Sequence, residues 1–148
     1  MRPSRPAPAS SFWRGDFPRV VGAYFSFFFS NSTFLLLPLY FDSLGAGESL
    51  IGALAAASNL ATLFAMPGAG LCVRRWGGWS VLLWGLAAQA ASALGFLLAP
   101  GSRFPLFALL RLVQGAAFAL AFTGSVVVAA EAAPKGRRAQ AFGLLGVV

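Results

Sequence analysis

Long apolar stretches separated by short polar breaks occupy the chain from residue 17 onward. They run from Phe17 to Phe41, Leu50 to Val73, Trp79 to Ala99 and Phe104 to Ala130. At about 1.5 Å per residue in a helix, each is long enough to cross a hydrocarbon core of about 30 Å. A fifth stretch begins near Ala139 and reaches Val148, where roughly 15 Å of helix covers only half of that thickness. Hydrocarbon offers backbone groups no partner outside the segment, so these stretches have to be α-helices. The pattern predicts an all-α membrane protein, a multi-pass bundle of transmembrane helices over residues 17–148 with the fifth span incomplete. The chain therefore reads as the N-terminal part of a longer protein whose further helices complete the bundle.

The breaks predict the turns and the orientation. Asp42 to Ser49 carries Gly45 and Gly47, Arg74 to Gly78 is short, and Pro100 to Pro105 is bounded by prolines, so sequential helices are antiparallel neighbours. Arg2, Arg5, Arg14 and Arg19 precede the first stretch, Arg74 and Arg75 follow the second, and Lys135, Arg137 and Arg138 follow the fourth. Those breaks share one side of a membrane. The opposite breaks hold Asp42, Glu48 and the single Arg103. By the positive-inside rule the N-terminus is cytoplasmic, and the expected location is the cell membrane as a multi-pass integral protein.

Composition narrows the function classes. Apolar residues make up 58% of the chain and charged ones 10%, outside the range of soluble domains, so lipid is the expected partner. The net charge of +7 is explained by loop anchors beside anionic head groups, which removes the argument for nucleic acid. Cys72 is the only cysteine and histidine is absent, so no intrachain disulfide, metal centre or histidine-dependent catalysis is expected. Neither an enzyme nor a cofactor-binding protein is predicted. Residues 1–16 are rich in Pro, Ser and Arg and read as a disordered cytoplasmic tail. The first stretch is too long and too aromatic for a signal peptide.

Polar residues inside the spans are the candidate site, because lipid penalises them unless they find partners. In the first span Ser26, Ser30 and Thr33 share one face, and Tyr24, Asn31 and Pro38 recur every seven residues on an adjacent stripe. Two readings stay open: these residues line a wet cavity, or the hydroxyls bond back to their own helix and Asn31 bridges helices. Ser58, Asn59 and Thr62 in the second span, and Gln89 and Ser92 in the third, read as contacts between helices. Small residues four apart, Gly52 with Ala56, Gly68 with Cys72 and Gly115 with Ala119, together with the stretch Ala53 to Ala57, offer close packing or arise from an Ala-rich composition.

Arg111 is the sharpest candidate. It lies about 10 Å inside the fourth span, where insertion scales charge an arginine about 2.5–3.5 kcal/mol. Gln114 is on nearly the same face and Gly115 is beside it. Either the long side chain snorkels to the head groups, or it faces a polar pathway, where it binds an anionic group or lowers the pKa of a nearby carboxylate and couples to protons.

Four segments together resemble the major facilitator superfamily of secondary transporters. Gly70, Arg75 and Gly77, in the run Pro67 to Gly78, are similar to its loop between helices two and three, written G-x-L-a-D-r-x-G-r-[rk]. Arg111, Gln114 and Gly115 resemble its fourth-helix motif R-x-x-q-G-x-g-a. Glu131, Pro134, Arg137, Arg138, Ala139 and Gly143 look like its passage into helix five, and Pro38, Leu39, Tyr40, Leu44, Gly45, Ile51 and Gly52 look like its first hairpin. The resemblance implies two six-helix halves that rock about a small-molecule substrate held at mid-membrane, with helices one and four lining the cavity. It implies that Arg111 assists proton coupling and that Gly70, Arg75 and Gly77, with Arg74 between them, belong to a cytoplasmic gate; joined to the polar stripes read above, the expected substrate and proton pathway runs through Asn31, Arg111, Gln114, Ser30, Thr33 and Tyr24. It implies no cofactor beyond a proton gradient, with uptake and efflux both open. Arg74 stands where the loop motif has aspartate, a departure at the gate's charge interlock. A short membrane scaffold or subunit without transport of its own is the alternative expectation.

Overall fold

In a computed structural model, residues 17–99, 104–133 and 138–146 are described, and no strand occurs among them. The expected tail, Arg103, Lys135 and Arg137 lie outside the described residues. The first span consists of α1 (Phe17–Thr33), a 3-10 turn (Phe34–Leu36) and α2 (Leu37–Ser43). The second is α3 (Glu48–Trp76), the third α4 (Gly78–Leu98) and the fourth α5 (Phe104–Ala132), while α6 (Arg138–Leu145) opens the fifth stretch. All four complete spans, of 27, 29, 21 and 29 residues, are long and apolar enough to cross a membrane.

The apolar pattern shows the first span as one uninterrupted run, whereas the structure divides it. Pro38 has no N–H and its ring crowds the carbonyl four residues back, which belongs to Phe34. The helix tightens at that residue, and the Leu37 N–H donates to the Phe34 carbonyl. Pro67 leaves α3 a continuous helix. Glu48 in the first turn of α3 and Arg74 and Arg75 in its last match the sign of the helix dipole at each end.

Packing fixes which ends lie together. Phe17 meets Ala133, Val20 meets Val128 and Ala129, and a methyl added to Gly78 would meet Val127 and Val128. The start of α1, the α3–α4 turn and the end of α5 therefore share one end of the bundle, which carries Arg74 and Arg75. At the other end Phe34, Phe41, Phe96 and Phe107 cluster with Ala46 and Leu54. Phe107 stands 5.2 Å from Phe41 and 5.9 Å from Phe96, ring centre to ring centre. Helix α5 is the hub: half of its most apolar window is buried, against 11% of that of α3.

Two turns need glycine. Gly45 and Gly77 have φ of +78° and +82°, values that side chains with a Cβ rarely adopt. Gly77 alone joins α3 to α4, its N–H donating to the Val73 carbonyl at 2.9 Å.

Close approach of α4 and α5 rests on glycines that the sequence reading passed over. A Cβ on Gly85 would run into the Ala121 backbone, and one on Gly124 would stand 2.6 Å from the Leu82 nitrogen. Of the expected small-residue pairs, Gly115 and Ala119 are buried. Gly52 and Gly68 face open space among the described residues.

Candidate functional site: a polar cavity beside Arg111

Three helices bring polar groups together at mid-depth. A cavity of about 300 Å³ is lined by Asn31 and Phe34 with Leu35 from the first span, Ser58, Asn59 and Thr62 from α3, and Arg111, Gln114 and Phe118 from α5. Its α3–α5 wall is tight because position 115 has no side chain: a methyl there would collide with the Ser58 carbonyl and stand 2.9 Å from the Ala61 methyl. The Thr62 hydroxyl crosses the same seam and is 3.0 Å from both the Gly115 and the Ser58 carbonyl oxygens.

Arg111 is buried, with 9% of its surface exposed, and stays at its own depth. Its Nη1 donates to Gln114 Oε1 at 2.6 Å and its Nε to the Leu54 carbonyl at 3.3 Å. Leu54 is six residues into α3 and Arg111 seven into α5, so the guanidinium reaches sideways to the next helix and does not run towards the head groups. The first bond is short, as a charged donor allows, and the second is long and weak. Arginine has five N–H donors, and Nη2 makes no hydrogen bond among the described residues. Gln89 Oε1 is the only side-chain polar atom there that is both sealed from solvent and unpartnered, so Nη2 keeps some exposure, and Arg111 is one of the residues that line the cavity.

Asn31 joins the cavity to α4, its Oδ1 accepting from Gln89 Nε2 at 3.5 Å. The remaining first-span candidates are elsewhere. Ser30 and Thr33 line a second hollow of about 180 Å³ with Phe34, Leu37, Ala93 and Phe96, and Thr33 Oγ1 is 3.5 Å from the Phe29 carbonyl of its own helix. Ser26 bonds back to the Gly22 carbonyl at 2.8 Å. Tyr24 stands 4.7 Å from Phe28, ring to ring, and packs near Val20, Val128 and Ala129. Ser92 donates to the Leu110 carbonyl at 3.1 Å and ties α4 to α5.

Ser58, Asn59 and Thr62 read from sequence as contacts between helices; Thr62 makes one, to the Gly115 carbonyl, and all three also line the cavity. Their i, i+1, i+4 spacing is the available signal: it puts a polar stripe on an otherwise Ala- and Leu-rich helix. At the basic end of the bundle Gly70 is half-buried, and Arg74, Arg75 and Gly77 are exposed. The Arg75 guanidinium lies 5.6 Å from the Trp76 ring centre, within cation–π range.

Among the described residues the carboxylates are Asp42, Glu48 and Glu131, all exposed and at helix ends. The fourth-span arginine therefore has no acidic partner at its own depth in these helices. No curated protein and no solved structure matches the chain. The family model described as Major Facilitator Superfamily matches residues 20–148, nearly the whole of the four spans and the start of the fifth. The chain belongs to the Major Facilitator Superfamily, a family of membrane transporters.

Proposed function

We propose that this chain supplies the substrate-facing wall of a secondary transporter that moves a small molecule by alternating access, driven by a proton gradient. The observation that carries this reading is Arg111, held inside the fourth span by Gln114 and the Leu54 carbonyl on the wall of a polar cavity. A buried charge in lipid is costly, and such residues mark pathways for substrates and ions. Asn31, Asn59 and Gln114 supply amide groups beside it, the means of orienting a polar solute. Gly70, Arg74, Arg75 and Gly77 form the hinge and rim of the cytoplasmic gate.

Flux into proteoliposomes carrying the full chain, under an imposed pH gradient, tests the reading. Arg111→Ala is expected to lower gradient-driven flux about tenfold or more, the factor carried by a lost hydrogen bond to a charged group. Full flux in that variant removes the assignment of Arg111, and no flux in the unaltered protein favours the scaffold reading. Orientation is tested separately. A membrane-impermeant thiol reagent added outside cells is expected to modify Glu48→Cys and leave Arg75→Cys unmodified, and the reverse pattern would place the basic end outside.

A further inference from the structure

We infer that the cavity beside Arg111 takes a small organic anion, a carboxylate on an apolar body; this rests on the transporter reading above. The argument comes from which polar atoms are already used. Gln114 gives its Oε1 to Arg111, and because arginine can only donate, the amide orientation is fixed and Gln114 Nε2 is left as a donor. Asn31 gives its Oδ1 to Gln89, which leaves Asn31 Nδ2. Thr62 directs its hydroxyl proton at backbone carbonyls. The groups left to meet a solute include the donors of Arg111, Gln114 Nε2 and Asn31 Nδ2, beside the Ser58 hydroxyl and the Asn59 amide, which donate or accept.

Among the described residues the walls carry one full charge, positive, and no acidic residue. An ammonium group would meet an unscreened like charge, and a neutral solute would leave the guanidinium uncompensated. A carboxylate is an acceptor at both oxygens and matches the guanidinium edge. Phe34, Leu35 and Phe118 on the remaining wall suit an aliphatic or aromatic body.

The test uses three probes of nearly one shape: benzoate, benzamide and benzylammonium. In the full chain with Cys72→Ala, Leu35→Cys places a thiol on the apolar part of the cavity wall and leaves its polar groups intact, and its rate of modification by N-ethylmaleimide reports occupancy. Benzoate is expected to slow modification at concentrations where benzamide and benzylammonium do not. Arg111→Gln is expected to raise the half-protecting benzoate concentration about tenfold or more. Equal protection by benzamide or benzylammonium, no protection by benzoate, or an unchanged benzoate concentration in Arg111→Gln would overturn the inference. The comparison of the three probes in the protein with native Arg111 decides the matter even if the variant fails to fold. Protection without gradient-driven flux would leave the anion site standing and remove the transport reading. Flux of neutral or cationic solutes without benzoate protection would do the reverse.

Discussion

At the scale of single residues, two positions of α5 define the cavity by opposite means: Arg111 brings a charge to its wall and Gly115 withholds a side chain from the α3–α5 seam beside it. In lipid, helices gain little from hiding apolar surface from each other, so association depends on close packing. Gly115 allows that packing against Ser58. Gly115→Ala is expected to destabilise the protein by about 1–3 kcal/mol, the usual cost of overpacking, while Gly52→Ala, which points into open space, has little effect. Thermal unfolding in detergent, followed by the loss of monomeric protein, distinguishes the two; equal midpoints for both variants would refute the seam. Arg111 was legible as a candidate because a charge in an apolar run stands out. The roles of Ser58 and Asn59 were not, since a hydroxyl or amide on a helix can face a cavity, a neighbour or its own backbone, and only the packing of α3 on α5 decides between them.

Helices were the most legible level. Apolar runs of span length leave little freedom, and the ends of α3 and α4 fall close to the charged and glycine residues that bound each run. The interruption of the first span at Phe34–Leu36 was hidden because Pro38 acts on the turn before it, where hydropathy is unchanged. The Gly85 and Gly124 contacts were hidden for another reason. Facing glycines on two different helices have no fixed spacing along the sequence.

The one-residue link between α3 and α4 also sets what Arg74 does. Its charge suits the C-terminus of α3 and opposes the N-terminus of α4, each within about 0.3–1 kcal/mol. The two cancel while both helix ends stay beside position 74, so Arg74→Asp is expected to shift the balance between inward-open and outward-open forms by about twofold to fivefold, the size of one term left uncancelled when the gate rearranges. The ratio of modification rates of cavity cysteines from the two sides of the membrane checks this, and an unchanged ratio would show that the charge at position 74 is not part of the gate.

For the whole molecule, the alternation of basic and acidic breaks and the packing of Phe17 on Ala133 and Phe41 on Phe107 describe one antiparallel bundle with a basic end and an aromatic end. The first, second and fourth spans meet at the cavity, while α4 braces α5 from behind through Gly85, Ser92 and Gly124. The account depends on water reaching that cavity in the middle of the membrane. Single cysteines at Ser58, Asn59 and Thr62, compared with cysteines at the outward-facing Ala87 and Ala91 of α4, test this by their reaction with a small water-soluble maleimide in native membranes. Faster modification of the three cavity positions than of the two on α4 is the expected result; equal or slower modification would contradict a wet pathway at Arg111.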